Sequence, residues 1–139
     1  MNTSPVFIVD DDSDDRFLIK EVWRELEVTN PLLFFEHAEN VIAHLKDDPT
    51  PPFLIICDVN LPGIDGFELR KRLQDNSNFR YKTIPFIFWS TRALPEQVKK
   101  SYDLGGHGFF IKDSKFEDLK ESFKDIISYW LKSKTPEKL

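Results

Sequence analysis

The chain has 139 residues, 40% of them hydrophobic and 31% charged, and its formal net charge is −5. This balance supports one packed domain and argues against a disordered chain. Because nucleic-acid binding requires clustered lysine and arginine, we expect no nucleic-acid partner for so acidic a chain. The sequence has no signal-peptide pattern and no apolar run near the roughly 20 residues of a membrane span. We therefore expect a cytoplasmic protein with no membrane partner.

Short apolar runs recur along the chain and alternate with helical patterns. The first run, Val6 to Val9, is apolar at every position and stops abruptly at three aspartates. This pattern is typical of a strand that is buried on both faces of a parallel sheet. Five strands are predicted in this way, at residues 6–9, 32–35, 53–57, 85–89 and 109–111.

Five helices are predicted between and after these strands. Ser13 is a favourable N-cap for the first helix, and Pro95 suits the first turn of the fourth. Apolar residues recur at three- and four-residue steps over residues 116–130, which predicts the fifth. Weaker apolar patterns over residues 41–45 and 66–73 indicate the second and third.

The alternation of strands and helices predicts an α/β protein. The expected fold is a flavodoxin-like, doubly wound, five-stranded parallel sheet of order 2-1-3-4-5, with five helices on its two faces and right-handed crossovers. We expect residues 1–133 to form this one domain and residues 134–139 to form a short C-terminal tail, with no output domain.

Polar side chains follow four of the predicted strands at the point where each strand ends. Asp10-Asp11-Asp12 follow the first strand, Asp58 the third, Ser90-Thr91 the fourth and Lys112 the fifth. Since ligands bind at the carboxyl ends of strands in such sheets, we expect these groups to meet in one crevice. Clustered carboxylates repel one another unless a cation neutralises them, and Mg2+ prefers carboxylate and phosphate oxygens. With a lysine and a hydroxyl beside them, the set suits in-line phosphoryl transfer to a carboxylate.

These segments, taken together, resemble the response-regulator receiver family. The resemblance spans nearly the whole chain and rests on Val9-Asp10-Asp11, residues 58–66, residues 85–90 and Lys112. It implies that Asp58 accepts a phosphoryl group from a sensor histidine kinase or a phosphotransfer protein. It also implies a stand-alone two-component regulator that acts on a downstream protein and is not an enzyme with turnover on an external substrate.

The resemblance further implies a role for each matching position. The protein ligands for Mg2+ would be Asp10, Asp11, Asp58 and the backbone carbonyl of Asn60. Ser90 and Lys112 would contact the phosphoryl group, and Phe109 would be the aromatic switch residue whose rotamer follows Ser90.

The sequence departs from the family pattern beside two of these positions. Asp113 follows Lys112 where the family usually has a cis proline, and a cis bond before any other residue costs about 2.5–4 kcal/mol, so the local backbone stays open. Thr91 stands where a smaller residue is usual and is expected to restrict access to Asp58. Arg92 follows it and is expected to alter the rate at which water removes the phosphoryl group.

Residues 101–104 and 128–131 are similar to a narrower group, the single-domain receivers that partner cyanobacterial phytochromes. This similarity implies a homodimer through the fourth helix, fifth strand and fifth helix. Two alternatives remain open from the sequence. One is a haloacid-dehalogenase-type phosphatase with Asp10 as nucleophile and Asp12 as acid and base, and the other is a receiver-like binding module that is not phosphorylated.

Overall fold

The computed structural model describes residues 3–77 and 79–136. The strands are β1 (Val6–Val9), β2 (Leu32–Phe35), β3 (Leu54–Asp58), β4 (Phe86–Ser90) and β5 (Phe109–Ile111). The helices are α1 (Ser13–Leu26), α2 (Ala38–Asp47), α3 (Gly66–Gln74), α4 (Phe79–Lys82), α5 (Pro95–Asp103) and α6 (Phe116–Lys132). All four strand pairings are parallel, and the order β2-β1-β3-β4-β5 confirms the predicted topology.

Burial differs between the centre and the edges of the sheet. Every residue of β1, β3 and β4 is buried, as expected of strands covered on both faces. The edge strands β2 and β5 are only partly buried, because each has a neighbour on one side only. The prediction of strands buried on both faces is therefore correct for the central three alone.

Alternating side chains of β1 enter two separate cores, because successive residues of a strand point to opposite faces. Phe7 and Val9 pack with residues of α2 and α3, whereas Val6 and Ile8 pack with residues of α1 and α6. All four side chains are fully buried. Burying a side chain of this kind contributes about 1.5–3 kcal/mol. The two cores hold the sheet between its helical layers and so fix where the strands end.

The first helix begins one residue earlier than the sequence indicates. Its N-cap is Asp12, not Ser13, because Asp12 Oδ1 accepts the backbone N–H groups of Asp14 at 2.8 Å and of Asp15 at 3.3 Å. A carboxylate at this position also interacts favourably with the positive end of the helix dipole. The acidic run after β1 therefore starts α1 as well as closing the strand.

The described residues form one helix more than the five predicted. The additional helix, α4, has only four residues, too few for an apolar repeat to reveal it. The Tyr81 hydroxyl within it lies 3.3 Å from the carbonyl oxygens of Leu45 and Pro49, which ties α4 to the end of α2. The helices predicted as fourth and fifth are consequently α5 and α6. No helix in the described part of the chain is long and apolar enough to cross a bilayer.

Candidate functional site

Three carboxylates converge at the carboxyl ends of β1 and β3. Asp10, Asp11 and Asp58 each place an oxygen within 4.8 Å of the others. Asp10 and Asp58 are buried, whereas Asp11 is exposed. The convergence expected from the sequence is therefore present, and it follows from the pairing of Val9 with Cys57 in adjacent parallel strands.

Turns after the strands orient the two buried carboxylates. Asp10 Oδ1 accepts the backbone N–H of Asp12 at 2.8 Å, and Asp58 Oδ1 accepts that of Asn60 at 2.9 Å. The second turn requires Gly66, because a Cβ there would lie 2.5 Å from the carbonyl oxygen of Asp58. With Oδ1 held in this way, Oδ2 of each carboxylate lies close to the side chain of Lys112, the residue that follows β5.

Lys112 enters the carboxylate cluster from the end of β5. Its backbone N–H donates to the carbonyl oxygen of Ser90 at 2.7 Å, which continues the β4–β5 pairing. Its Nζ lies 2.8 Å from Asp58 Oδ2, 2.8 Å from Asp15 Oδ2 and 3.0 Å from Asp10 Oδ2. The ammonium also lies 4.7 Å from the centre of the buried Trp89 ring. Lys112 and Asp58 therefore meet in one crevice, as expected from the sequence, and are in direct contact.

Asp15 is a member of this cluster that sequence reasoning missed. Asp15 and Lys112 are 97 residues apart in the sequence, and no local pattern reveals a contact over that separation. A weak signal was available, because Asp15 lies in the first turn of a helix that starts beside the end of β1. The side chain of a carboxylate in that turn can therefore lie close to the ends of the strands.

The pKa values of Asp10 and Lys112 are both raised, for different reasons. Burial raises the pKa of Asp10 from 3.8 to about 7, even though the N–H of Asp12 and the charge of Lys112 act to lower it. For Lys112, burial acts to lower the pKa, but hydrogen bonds to Asp15 and Asp58 and the charge of Asp10 prevail and raise it. Lys112 therefore stays charged, with three carboxylates around its one ammonium group.

The residues present fit a hard divalent cation. Within the described part of the chain, the buried Asp10 Oδ2 has no partner in hydrogen-bond geometry, although the charge of Lys112 lies 3.0 Å away. One ammonium cannot neutralise Asp10, Asp11, Asp15 and Asp58 together. Oxygen donors with excess negative charge are the ligand set that Mg2+ and similar cations prefer.

A family model described as the response regulator receiver domain matches residues 6–124. The chain belongs to this family. Rcp1, a response regulator of Synechocystis sp., is 27% identical to this receiver over 135 residues, covering 94% of this chain and 90% of Rcp1. FilR2, a probable methanogenesis regulatory protein of Methanothrix harundinacea, is 23% identical over 130 residues, covering 91% of this chain and 83% of FilR2.

Solved receiver structures superpose closely on this one. The phosphorylated cyanobacterial phytochrome response regulator RcpA gives a TM-score of 0.87 at 26% identity, covering 97% of this chain and 99% of RcpA. The Mn2+-bound form of Rcp1 gives 0.82 at 27% identity, covering 96% of this chain and 99% of Rcp1. The similarity to cyanobacterial phytochrome regulators, predicted from short segments, is confirmed over nearly the full length.

The remaining predicted positions of this receiver lie along β4 and β5. Ser90 ends β4 and is buried, and its Oγ accepts the backbone N–H of Arg92 at 3.4 Å. Thr91 and Arg92 are exposed beside it. Phe109 is half-buried and pairs with Phe88 across the two strands, on the side of the sheet that packs against α2 and α3.

The backbone after Lys112, which the sequence left open, is trans, since no peptide bond among the described residues is cis. The Asp113 side chain accepts a hydrogen bond from Ser122 Oγ at 2.9 Å, which ties the loop to α6. Asp12, the acid and base of the phosphatase alternative, is exposed and caps α1 instead. Its geometry counts against that alternative.

Proposed function

We propose that this receiver accepts a phosphoryl group on Asp58 from a sensor histidine kinase or a phosphotransfer protein, and thereby works as a two-component response regulator. The observation that carries the proposal is the buried carboxylate of Asp58 with the Lys112 ammonium 2.8 Å from its Oδ2. A charged lysine at this distance can pair with a phosphoryl oxygen as well as with the carboxylate.

The cation of the site is proposed to be Mg2+. Its protein ligands would be Asp10, Asp11, Asp58 and the backbone carbonyl of Asn60. When bound, the ion would neutralise negative charge on the carboxylates and on the phosphoryl oxygens. The Mn2+-bound form of Rcp1 shows that a related receiver holds a divalent cation.

The chain's own residues account for the transfer step. An oxygen of Asp58 attacks the phosphorus of phosphohistidine in line, the new P–O bond forms as the P–N bond breaks, and the imidazole leaves with the bond electrons. Lys112 pairs with the transferred oxygens, and the Ser90 hydroxyl donates to another of them. Water later cleaves the acyl phosphate and restores the carboxylate, with Thr91 and Arg92 modulating its access.

The phosphoryl group is proposed to act as a switch rather than as an intermediate of turnover. Ser90 and Phe109 would report its presence to the surface of α5, β5 and α6, because β4 and β5 are paired between them. A modification that favours one of two existing conformations changes which downstream protein is bound. The proposal places this switch in the cytoplasm, in one domain of residues 1–133 followed by a short tail.

The same surface is proposed to form a homodimer. Among the described residues, four large apolar or aromatic side chains of these elements are exposed: Tyr102 at 57%, Ile111 at 51%, Tyr129 at 63% and Leu131 at 47%. Exposed groups of this kind are enriched where proteins meet. Sedimentation with and without beryllofluoride as phosphoryl mimic should detect the dimer, and a monomer under both conditions would remove this part of the proposal.

The function is tested by incubating the protein with acetyl phosphate and Mg2+ and measuring its intact mass. We expect a gain of one phosphoryl group that is lost in Asp58→Asn and retained in Asp14→Asn, a change to an exposed aspartate outside the cluster. No gain in the folded wild-type protein would favour a binding module. Multiple turnovers of p-nitrophenyl phosphate that require Asp10 but not Asp58 would favour the phosphatase.

A further inference from the structure

The Lys112 ammonium has a carboxylate partner that lies outside the predicted reaction site. Nζ is 2.8 Å from Oδ2 of both Asp58 and Asp15. Asp58 belongs to the group of three acids that converge for a cation, whereas Asp15 does not. One of the two short contacts of the lysine is therefore independent of the groups that would be modified or metal-bound.

The backbone of Asp15 is held in place by contacts that do not involve Lys112. Asp15 lies in the first turn of α1, and its N–H donates to Asp12 Oδ1 at 3.3 Å. Its side chain is only 23% exposed. A carboxylate on a capped helix is a more rigid partner than one on a loop, which suits it to hold a long, flexible lysine side chain.

The other two partners weaken when the site is used. Phosphorylation would convert Asp58 into a neutral acyl oxygen and a charged phosphoryl group, and Asp10 would share its charge with the cation. Asp15 would be neither phosphorylated nor bound to the cation. We propose that Asp15 is a positioning residue for Lys112, which keeps the ammonium directed at the phosphoryl oxygens while its other partners change. This inference rests on the proposed acceptance of a phosphoryl group by Asp58.

A general electrostatic role for Asp15 would have the opposite effect on rate. If the residue merely added negative charge, its removal would make the site less repulsive to an anionic donor such as acetyl phosphate, and phosphorylation would be faster. If it positions Lys112, its removal leaves the ammonium less well ordered and phosphorylation becomes slower. The sign of the rate change therefore separates the two roles.

The first experiment measures the phosphorylation rate with acetyl phosphate and Mg2+. Asp15→Ala should slow it roughly five- to fiftyfold. Asp15→Asn, which keeps an oxygen for the lysine, should slow it less, and Asp15→Glu should restore part of the rate. Asp14→Ala removes the same charge from the same helical turn at an exposed position, and should stay within about twofold of wild type. An Asp15→Ala rate equal to or above that of wild type overturns the proposal.

A double-mutant cycle tests whether Asp15 acts through Lys112. In a Lys112→Ala background, Asp15→Ala should have no further effect on the rate, because the group it positions is gone. An equal slowing in both backgrounds overturns the proposal. Mn2+ affinity, measured by electron paramagnetic resonance, should stay within about twofold in Asp15→Ala. A loss as large as that of Asp11→Asn would instead make Asp15 a metal ligand.

A spectroscopic measurement decides the matter without any phosphoryl donor. The NMR signal of the Lys112 ammonium, assigned with Lys112→Arg, should be protected from exchange with water in the wild type and in Asp14→Ala. It should be lost or strongly broadened in Asp15→Ala, and full retention overturns the proposal. If the wild-type protein gains no phosphoryl group on Asp58, the proposed function fails, while this signal still reports on the position of Lys112.

Discussion

Asp10 and Asp12 lie two residues apart, yet their side chains are in opposite environments. Asp10 is fully buried, and burial raises its pKa to about 7. Asp12 is exposed and accepts hydrogen bonds from the first turn of α1. Both were candidates for chemistry in the sequence. Residue type alone does not distinguish the two: the fold buries Asp10 within the carboxylate cluster and leaves Asp12 at the surface as a helix cap.

The stability of the metal-free protein should fall as pH rises from about 4 to 7 because of Asp10. The folded state keeps the Asp10 proton up to about pH 7, whereas the unfolded chain releases it near 3.8. The folded state thus binds more protons in this window, and the free energy of unfolding decreases by about 2 kcal/mol between about pH 5.5 and 7.5. Urea unfolding with a chelator measures this, and Asp10→Asn should lack the component. An identical slope in that variant would contradict the assignment.

Arg92 is expected to protect the phosphorylated state. Its backbone is tied to Ser90 Oγ, and its side chain is exposed beside the site. Arg92→Ala should shorten the lifetime of the phosphorylated form roughly three- to tenfold, because a shielding cation that can pair with phosphoryl oxygens is lost. The decay of the phosphorylated mass after donor removal measures the lifetime. Lys99→Ala, an exposed cation on α5, is the control, and an unchanged lifetime in Arg92→Ala would refute the role.

At the scale of secondary-structure elements, Arg70 joins three parts of the fold. It lies on α3 and is almost fully buried. Its Nε donates to the carbonyl oxygen of Leu104 at 3.0 Å, and its Nη2 donates to that of Gly105 at 2.8 Å. Its Nη1 reaches the carbonyl oxygen of Lys82, at the end of α4, at 3.4 Å. The end of α5 is therefore anchored to α3 through one guanidinium.

Replacing Arg70 should destabilise the protein strongly. Arg70→Met removes the buried donor of three carbonyl groups and should cost about 2–4 kcal/mol in urea unfolding. Arg70→Lys should recover little of this, because an ammonium lacks the planar fork that serves several carbonyls at once. Arg72→Lys, an exposed neighbour on α3 with a long 3.8 Å ion pair to Glu68, should change stability by less than about 0.5 kcal/mol. Wild-type stability in Arg70→Met would show that the anchor is dispensable.

His107 should make the β4–β5 edge sensitive to mild acid. The backbone N–H of Phe86 donates to His107 Nδ1 at 3.1 Å, a bond that protonation would break. Burial, with a smaller effect from the charge of Arg70, lowers the pKa of His107 below its ordinary 6.5. This stabilisation is therefore fully present above about pH 6.5 and is lost as pH falls through the lower folded pKa. The Phe86 amide shift should titrate with His107 in NMR, and a pH-independent shift would contradict this.

The elements show what local sequence can and cannot predict. All five strands were found because each is a short apolar run that ends at a polar residue, and the strand ends placed Asp10, Asp58 and Lys112 correctly. The four residues of α4 carry too little periodicity to be recognised. The contacts of Asp15, Arg70 and His107 were missed for a different reason, since each joins segments that are far apart in the sequence.

At the scale of the whole molecule, strand order was the step that local patterns did not supply. Apolar runs predict that strands exist, but not which strand lies beside which. The order 2-1-3-4-5 came from the expectation of a flavodoxin-like sheet, and the structure confirms it. Only with β3 between β1 and β4, and β5 beside β4, can Asp10, Asp58 and Lys112 meet. The prediction of the site was therefore correct only because the predicted strand order was correct.

The contacts of Lys112 have a practical consequence for anyone handling this protein. They span 54 positions to Asp58 and 97 to Asp15, so they form only when the first, third, fourth and fifth strands have all assembled. Chemical competence toward a small phosphodonor would then serve as a quality assay for the complete topology. A preparation with native helix content but a misplaced last strand would look normal by circular dichroism and yet fail that assay.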